Sequence, residues 1–226
     1  MRPLVYIVAS RGWAGFMDCI RTWIDTASTP YNVHISMGLD VMPALQQGYE
    51  STTEPILCYL HDDFKILEDN WDARVLKEFN DQSVGMVVTC GARGHGVRHL
   101  YETPYHLPNL ARQNFMSNMV DAEVHGERFT GERDVVVGDG MALFVRRTIL
   151  DKVGGWPVDK PVGYWLYAEW LTCETRRQGF RIRLVGIKCQ HLGGKSSGFI
   201  SPSISYEEAH RWLFENNRDV LPAWVE

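Results

Sequence analysis

No CxxC pair occurs in the 226 residues, and the five cysteines (Cys19, Cys58, Cys90, Cys173 and Cys189) are odd in number and scattered. That spacing argues against a disulfide frame or a zinc knuckle, and the thiols read as buried groups of a reducing compartment. No stretch approaches the roughly 20 apolar residues that a membrane span needs. Basic charge is not in surplus: 23 Lys and Arg face 28 Asp and Glu, a formal net charge of −5. No global field therefore draws in nucleic acid or anionic lipid. Internal repeats, low-complexity tracts and the GxxxxGK[ST] spacing of a P-loop are also absent.

What remains is the composition of a globular protein with a real core, 45% apolar and 12% aromatic. The length fits a single α/β domain, read as a 1–90 half and a 91–226 half. The apolar start, Leu4 to Ala9, is short and runs into Ser10-Arg11-Gly12, so it reads as a buried first strand and not a signal peptide. A soluble, cytoplasmic protein is the expectation. Phe16, Ile20, Trp23 and Ile24 recur at helical spacing. Val33–Met37 is a second strand, and a helix is expected after Pro43. Ile56–Leu60 suits a strand covered on both faces, Trp71 to Phe79 a helix, and Val84–Thr89 another strand. This alternation predicts a Rossmann-like α/β/α sandwich with a mostly parallel central sheet.

From Gly91 to about Asp134 no period is sustained, which suits a functional loop or lid. Pattern returns with strands at Val135–Val137 and Met141–Val145, a helix at Thr148–Val153, and a helix over residues 166–178 stopped by Gly179. A late strand at Phe180–Ile187, a flexible loop at Gly193–Gly198 and a closing helix at Tyr206–Asn217 follow.

Three groups of residues carry chemistry. In Leu60-His61-Asp62-Asp63-Phe64 two adjacent acids and a histidine follow directly on a buried strand, where open α/β sheets place ligands. Adjacent carboxylates repel, and a divalent cation, Mg2+ or Mn2+, relieves this while holding a diphosphate. The competing structural explanation is an acidic turn. His191, just past the late strand, is a competent Mn2+ ligand beside a Gly/Ser/Lys loop; taken alone, it reads more readily as an ordinary surface or capped histidine. Trp156, Tyr164, Trp165 and Trp170 surround Glu169, and rings of this kind stack on sugars while a carboxylate takes a hydroxyl proton. Core packing explains the same aromatic spacing.

Together these features resemble the inverting family 2 glycosyltransferases of the GT-A fold over roughly residues 3–195. The carriers are Leu60-His61-Asp62-Asp63, then Gly154-Gly155-Trp156 leading to Ala168-Glu169, then Arg176-Arg177-Gln178-Gly179-Phe180-Arg181-Ile182, and finally His191. The resemblance implies a nucleotide-sugar donor, a UDP-sugar foremost, and Mn2+ or Mg2+. It implies that Asp63 binds the metal, with His191 as a further ligand and Asp62 nearby. Ser10 and Arg11 would lie under the base and ribose. Asp40 would stand in for the acid that this family carries after its second strand. Glu169 would be the general base, with Glu174 and Asp139 in reserve, and Asp139, Trp156, Tyr164 and Trp165 would line the acceptor site. The chain departs from the family pattern in the missing acid at Met37-Gly38-Leu39 and in Ala168-Glu169 where a Glu-Asp pair is usual.

A saccharide or small metabolite is the expected acceptor. A hydroxymethylated pyrimidine in DNA is the alternative, offered by Arg93, His95, Arg98, His99, Arg112, Arg128 and Arg133. Two other classes compete. A nucleotidyltransferase shares this kind of sandwich, but Ser10-Arg11-Gly12-Trp13-Ala14-Gly15 is a poor version of its phosphate loop. A carbohydrate-binding module would use the aromatics yet has no need of Asp62, Asp63, Glu169 and His191 together. The oligomeric state is not legible in the sequence.

Overall fold

The computed structural model describes residues 3–10, 12–95, 115–120, 127–193, 205–221 and 223–225. In chain order the first elements are β1 (Leu4–Ser10), α1 (Phe16–Thr26), β2 (Tyr31–Met37), α2 (Val41–Glu50), β3 (Ile56–Leu60), β4 (Phe64–Ile66), α3 (Trp71–Glu78) and β5 (Val84–Val88). Short strands follow: β6 (Cys90–Ala92), β7 (Gly94–His95), β8 (Phe115–Ser117), β9 (Glu127–Arg128), β10 (Glu132–Val135) and β11 (Val137–Gly138). The rest are β12 (Ala142–Arg146), α4 (Arg147–Val153), α5 (Gly163–Arg177), β13 (Arg181–Val185), β14 (Cys189–His191), α6 (Tyr206–Asn216) and β15 (Ala223–Trp224).

Period-two alternation divides the core. Val5 and Ile7 of β1, Leu57 and Tyr59 of β3, and Leu143 and Val145 of β12 pack on one face, under Met42 and Leu45 of α2, Ile149 and Leu150 of α4, Leu171 of α5 and Leu213 of α6. Leu4, Tyr6 and Val8, with Cys58, Leu60 and Phe144, turn to the other face, against Ile20 and Trp23 of α1 and Trp71 and Val75 of α3. A strand with both faces covered must be apolar throughout, which is why β1, β3 and β5 read as unbroken hydrophobic runs.

The seven strands are ordered β10-β13-β5-β12-β3-β1-β2. The pairs β2/β1, β1/β3 and β5/β13 are parallel, while β12 runs against both neighbours and β10 against β13. Five strands thus point one way and two the other. This is the expected α/β sandwich with a mostly parallel sheet, and strands from both halves of the chain interleave in it.

Three local expectations change. The helix expected after Pro43 begins at Val41, and Pro43 sits in its first turn, where its missing N–H has no intrahelical acceptor to lose. The helix expected from residue 166 begins at Gly163, with Leu166 off helical geometry at φ −134° and ψ 22°. The described parts of the 91–134 stretch are not irregular: β11-β6-β8-β9 form a second, four-stranded sheet, and β10 extends the main one. Pieces of two to four residues are too short to show a period, so the sequence pattern concealed them. Gly179 has the positive φ (+81°) expected of the residue that stops α5. Among the described residues no helix is long and apolar enough to cross a membrane.

Candidate functional site: a histidine–aspartate cluster at the sheet's carboxyl edge

Beyond the carboxyl end of β3 the chain turns, with the Phe64 N–H donating to His61 O at 3.2 Å. The His61 N–H is itself held by Met141 O at 3.0 Å, just before β12. His61 and Asp63 both approach His191, whereas Asp62 meets the end of β1. Asp62, buried, accepts a 2.6 Å hydrogen bond from Ser10 Oγ at the end of β1, and Ser10 Oγ in turn accepts from the Gly12 N–H at 3.0 Å.

A small antiparallel pair completes the site. β14 lies on β4 in the register His191↔Phe64 and Cys189↔Ile66, and the Leu192 N–H donates to Asp63 O at 2.9 Å. Sequence position 191 is thereby set beside position 63. His191 Nε2 lies 3.1 Å from Asp63 Oδ1, His61 Nδ1 lies 3.8 Å from the same oxygen, and the two imidazole centroids are 5.6 Å apart. One ligand atom from each of His61, Asp63 and His191 falls within 4.8 Å of the other two. Two imidazole nitrogens and a carboxylate oxygen so placed suit a divalent transition metal.

The electrostatics separate the two histidines. Burial lowers the pKa of His61, and the neighbouring His191 lowers it further, against the pull of Asp63, Asp139 and Asp62. Burial acts to lower His191 as well, but the hydrogen bond to Asp63 and the charges of Asp63 and Asp139 raise it on balance. Glu169 on α5 is half-buried, and its carboxyl is pushed up to about 8 by burial, with a backbone hydrogen bond opposing and the charge of Asp139 adding to it. Asp139 therefore exerts its field on both the histidine cluster and Glu169. Its Oδ1 accepts from the Met141 N–H at 2.9 Å, which fixes it in the loop between β11 and β12.

The other sequence-derived candidates are distributed as follows. Ser10 and Asp62 are joined, as above. Asp40 is exposed at the start of α2, and the ends of β1 and β2 are tied by the Gly38 N–H to Ser10 O bond at 2.9 Å. Arg11 lies outside the described residues, as do the side chains of Tyr164 and Trp165, whose backbone opens α5. Trp156 is only 3% exposed: its Nε1 donates to Tyr59 Oη at 2.9 Å and its ring meets Tyr59 edge-on, with Tyr167 and Trp170 beside it. It offers core packing, with no open face on which a sugar would stack. Glu174 is paired to Arg177, which also holds Asp219, so the reserve base is tied into the end of α5.

Of the cationic residues considered for a DNA acceptor, Arg98, His99 and Arg112 lie outside the described residues. His95 is 1% exposed, Arg93 lies over Trp224 and Arg133 over Phe129, while Arg128 is exposed and 3.4 Å from Asn118 Oδ1. Among the described residues these side chains do not gather into a basic surface for phosphates.

Two participants were missed in the sequence. His61 stands in the acidic motif, and its adjacency to Asp63 is the signal in the sequence that could have marked it as a ligand. Tyr167, whose Oη lies 2.5 Å from His61 Nε2, carried no signal beyond an aromatic at helical spacing.

No protein-family model matches the chain, and no curated protein sequence does. Solved structures do resemble it. The crystal structure of A197 from STIV is 17% identical, covering 86% of this chain and 87% of that one, with a TM-score of 0.50. The mannosyltransferase PcManGT from Pyrobaculum calidifontis, in complex with GDP-Man and Mn2+, is 11% identical, covering 97% of this chain and 74% of that one, with a TM-score of 0.56. GalNAc-T7 with UDP, GalNAc and Mn2+ is 11% identical, covering 84% of this chain but 44% of that one, with a TM-score of 0.58. At such identities the likeness establishes a GT-A-like fold, and the function has to be argued from the site.

Proposed function

We propose that the chain is a metal-dependent glycosyltransferase that moves a sugar from a nucleotide-diphosphate donor to an acceptor hydroxyl with inversion. The observation that carries this reading is the His61–Asp63–His191 cluster at the carboxyl edge of a GT-A-like sheet, the edge at which open α/β sheets take their ligands. Two similar folds hold nucleotide sugars or their parts together with Mn2+, which supports the same class of donor here.

The donor set favours Mn2+ over Mg2+. Mg2+ takes oxygen ligands and keeps several waters, whereas imidazole nitrogen is a good ligand for first-row transition metals. Bound there, the metal supplies charge neutralisation for the departing nucleotide diphosphate. The remaining roles belong to side chains. Asp63, His61 and His191 hold the ion. Ser10 and Asp62, joined at the ends of β1 and β3, face the ribose, with Asp40 on the base side. Glu169 removes the acceptor proton, and a carboxyl with a pKa near 8 is a stronger base than an ordinary glutamate. A single displacement at the anomeric carbon inverts its configuration. Asp139 lines the acceptor side. The acceptor is a saccharide or small metabolite; the placement of the described arginines gives no support to DNA.

The test is a panel of UDP-, GDP-, CMP- and dTDP-sugars, each with and without Mn2+, read by thermal shift and donor hydrolysis. A UDP-sugar, or one other nucleotide class, should stabilise the protein only when Mn2+ is present. Absence of any response from every donor overturns the reading.

A further inference from the structure

The hydroxyl of Tyr167 has one proton and meets both a carbonyl and an imidazole nitrogen. Gly140 O lies 2.9 Å away and, as a carbonyl, can only accept, so Tyr167 Oη donates there. His61 Nε2 lies 2.5 Å away on the other side. With its proton committed to Gly140, the Tyr167 oxygen meets His61 as an acceptor, and the proton of that second bond must sit on Nε2. A neutral imidazole protonated at Nε2 carries its lone pair on Nδ1, the nitrogen 3.8 Å from Asp63 Oδ1 on the cluster side.

We propose that Tyr167 is a positioning residue that locks His61 in the Nε2–H tautomer and so presents Nδ1 as a ready metal ligand. The inference rests on the metal reading given above and deepens it. Its frame is rigid at each link. Tyr167 is 5% exposed, with its ring against Trp156 at a centroid distance of 6.0 Å. The loop between β11 and β12 grips His61 twice: Met141 O takes its backbone N–H at 3.0 Å, and Gly140 O orients the hydroxyl that takes its ring N–H. Position 140 admits no side chain, because a Cβ there would stand 2.3 Å from Tyr167 Oη and 2.6 Å from the ring carbon bearing it. Gly140 is therefore what lets the hydroxyl reach the carbonyl.

Tyr167→Phe removes the hydroxyl and keeps the packed ring, and Gly140→Ala displaces the hydroxyl from a different direction. The readout on the metal-free protein is the 15N NMR of the histidine rings, with His61 assigned by comparison with His61→Gln. Wild-type His61 should show a protonated Nε2 and an unprotonated Nδ1; both variants should shift it to a tautomer mixture. Mn2+ affinity, titrated by EPR, should fall roughly 10–100-fold in both, the range expected when an outer hydrogen bond to a ligating histidine is lost. Circular dichroism spectra matching wild type would show that the fold is kept. A Tyr167→Phe protein with unchanged His61 tautomer and Mn2+ affinity within about twofold of wild type overturns the proposal. A wild-type protein that shows the Nε2–H tautomer yet takes up no Mn2+ overturns the metal reading instead, and with it the ligand role assigned to Nδ1.

Discussion

Glu169→Gln separates the proposed base from the scaffold by a pH-dependent signature. In the folded protein burial pushes the Glu169 carboxyl from its ordinary 4.5 to about 8, so the folded state holds this proton more tightly than the unfolded chain. The sign follows directly. Stability tied to Glu169 is fully present below about pH 4.5 and is lost as pH rises through about 8. At about 1.4 kcal/mol per pKa unit the ceiling on that loss is about 5 kcal/mol. Glu169 is half-buried and keeps some contact with water, which screens the charge, so we expect about 2–3 kcal/mol. Glutamine has the same shape and never ionises. Urea denaturation of both proteins should therefore give similar free energies at pH 5 and a variant more stable by about 2–3 kcal/mol at pH 9. Metal-dependent donor binding should survive in the variant while transfer is lost, and wild-type kcat/KM should rise with pH through about 8. Parallel stability curves for the two proteins would mean that the carboxyl titrates normally, and the case for an environment-tuned base at this position would fail. Normal transfer by the variant would refute the assignment outright.

Three further variants test other parts of the structure. Asp63→Ala should abolish Mn2+-dependent donor binding, and His191→Ala should weaken Mn2+ by more than the Tyr167→Phe change does; EPR titration checks both, and turnover at the wild-type rate in Asp63→Ala would refute the metal assignment. Asp72→Ala should destabilise the fold by about 3 kcal/mol, because the fully buried carboxylate accepts from Ser28 N at 2.8 Å, Ser28 Oγ at 3.0 Å and Thr29 N at 2.5 Å. Burial acts to raise the Asp72 pKa, but these donors lower it on balance, so the stabilisation is present above the ordinary carboxylate range and fades as pH falls through it. Denaturation at pH 7 and pH 3 measures the difference, and an equal gap at both would contradict the argument.

The central sheet was legible because β1, β3 and β5 are covered on both faces, and two-sided burial writes itself into sequence as an unbroken apolar run. Helices α1 and α3 were legible for the complementary reason, each burying one stripe at a spacing of three and four. The pairs that build the site left no such mark. β4 and β14 are three residues each, and their pairing links positions 64 and 191 across most of the chain. Nothing local in Phe64-Lys65-Ile66 announces that Cys189-Gln190-His191 will lie against it. The expectation that Asp63 and His191 share a ligand came from resemblance to a family, and the β4/β14 register supplies a physical route by which the two residues meet. Trp156 illustrates the opposite hazard: aromatics crowding an acid in sequence suggest a sugar platform, yet an indole whose N–H is taken by Tyr59 is core.

The donor set has a consequence for charge that residue identity alone decides. With both imidazoles neutral, His61, Asp63 and His191 bring a single formal negative charge to the centre. A divalent ion held by them leaves the centre net positive, whereas a cluster of three carboxylates would leave it net negative. A positive centre attracts a diphosphate, and at about 4 Å in a partly screened site one unit charge pair is worth about 4 kcal/mol. Asp62 would spoil this balance if it turned inward beside Asp63. Instead its carboxylate accepts from the Ser10 hydroxyl at 2.6 Å, at the end of β1. The triplet thus has two sets of partners: positions 61 and 63 join His191 in the proposed metal cluster, and position 62 is hydrogen-bonded to Ser10 at the end of β1.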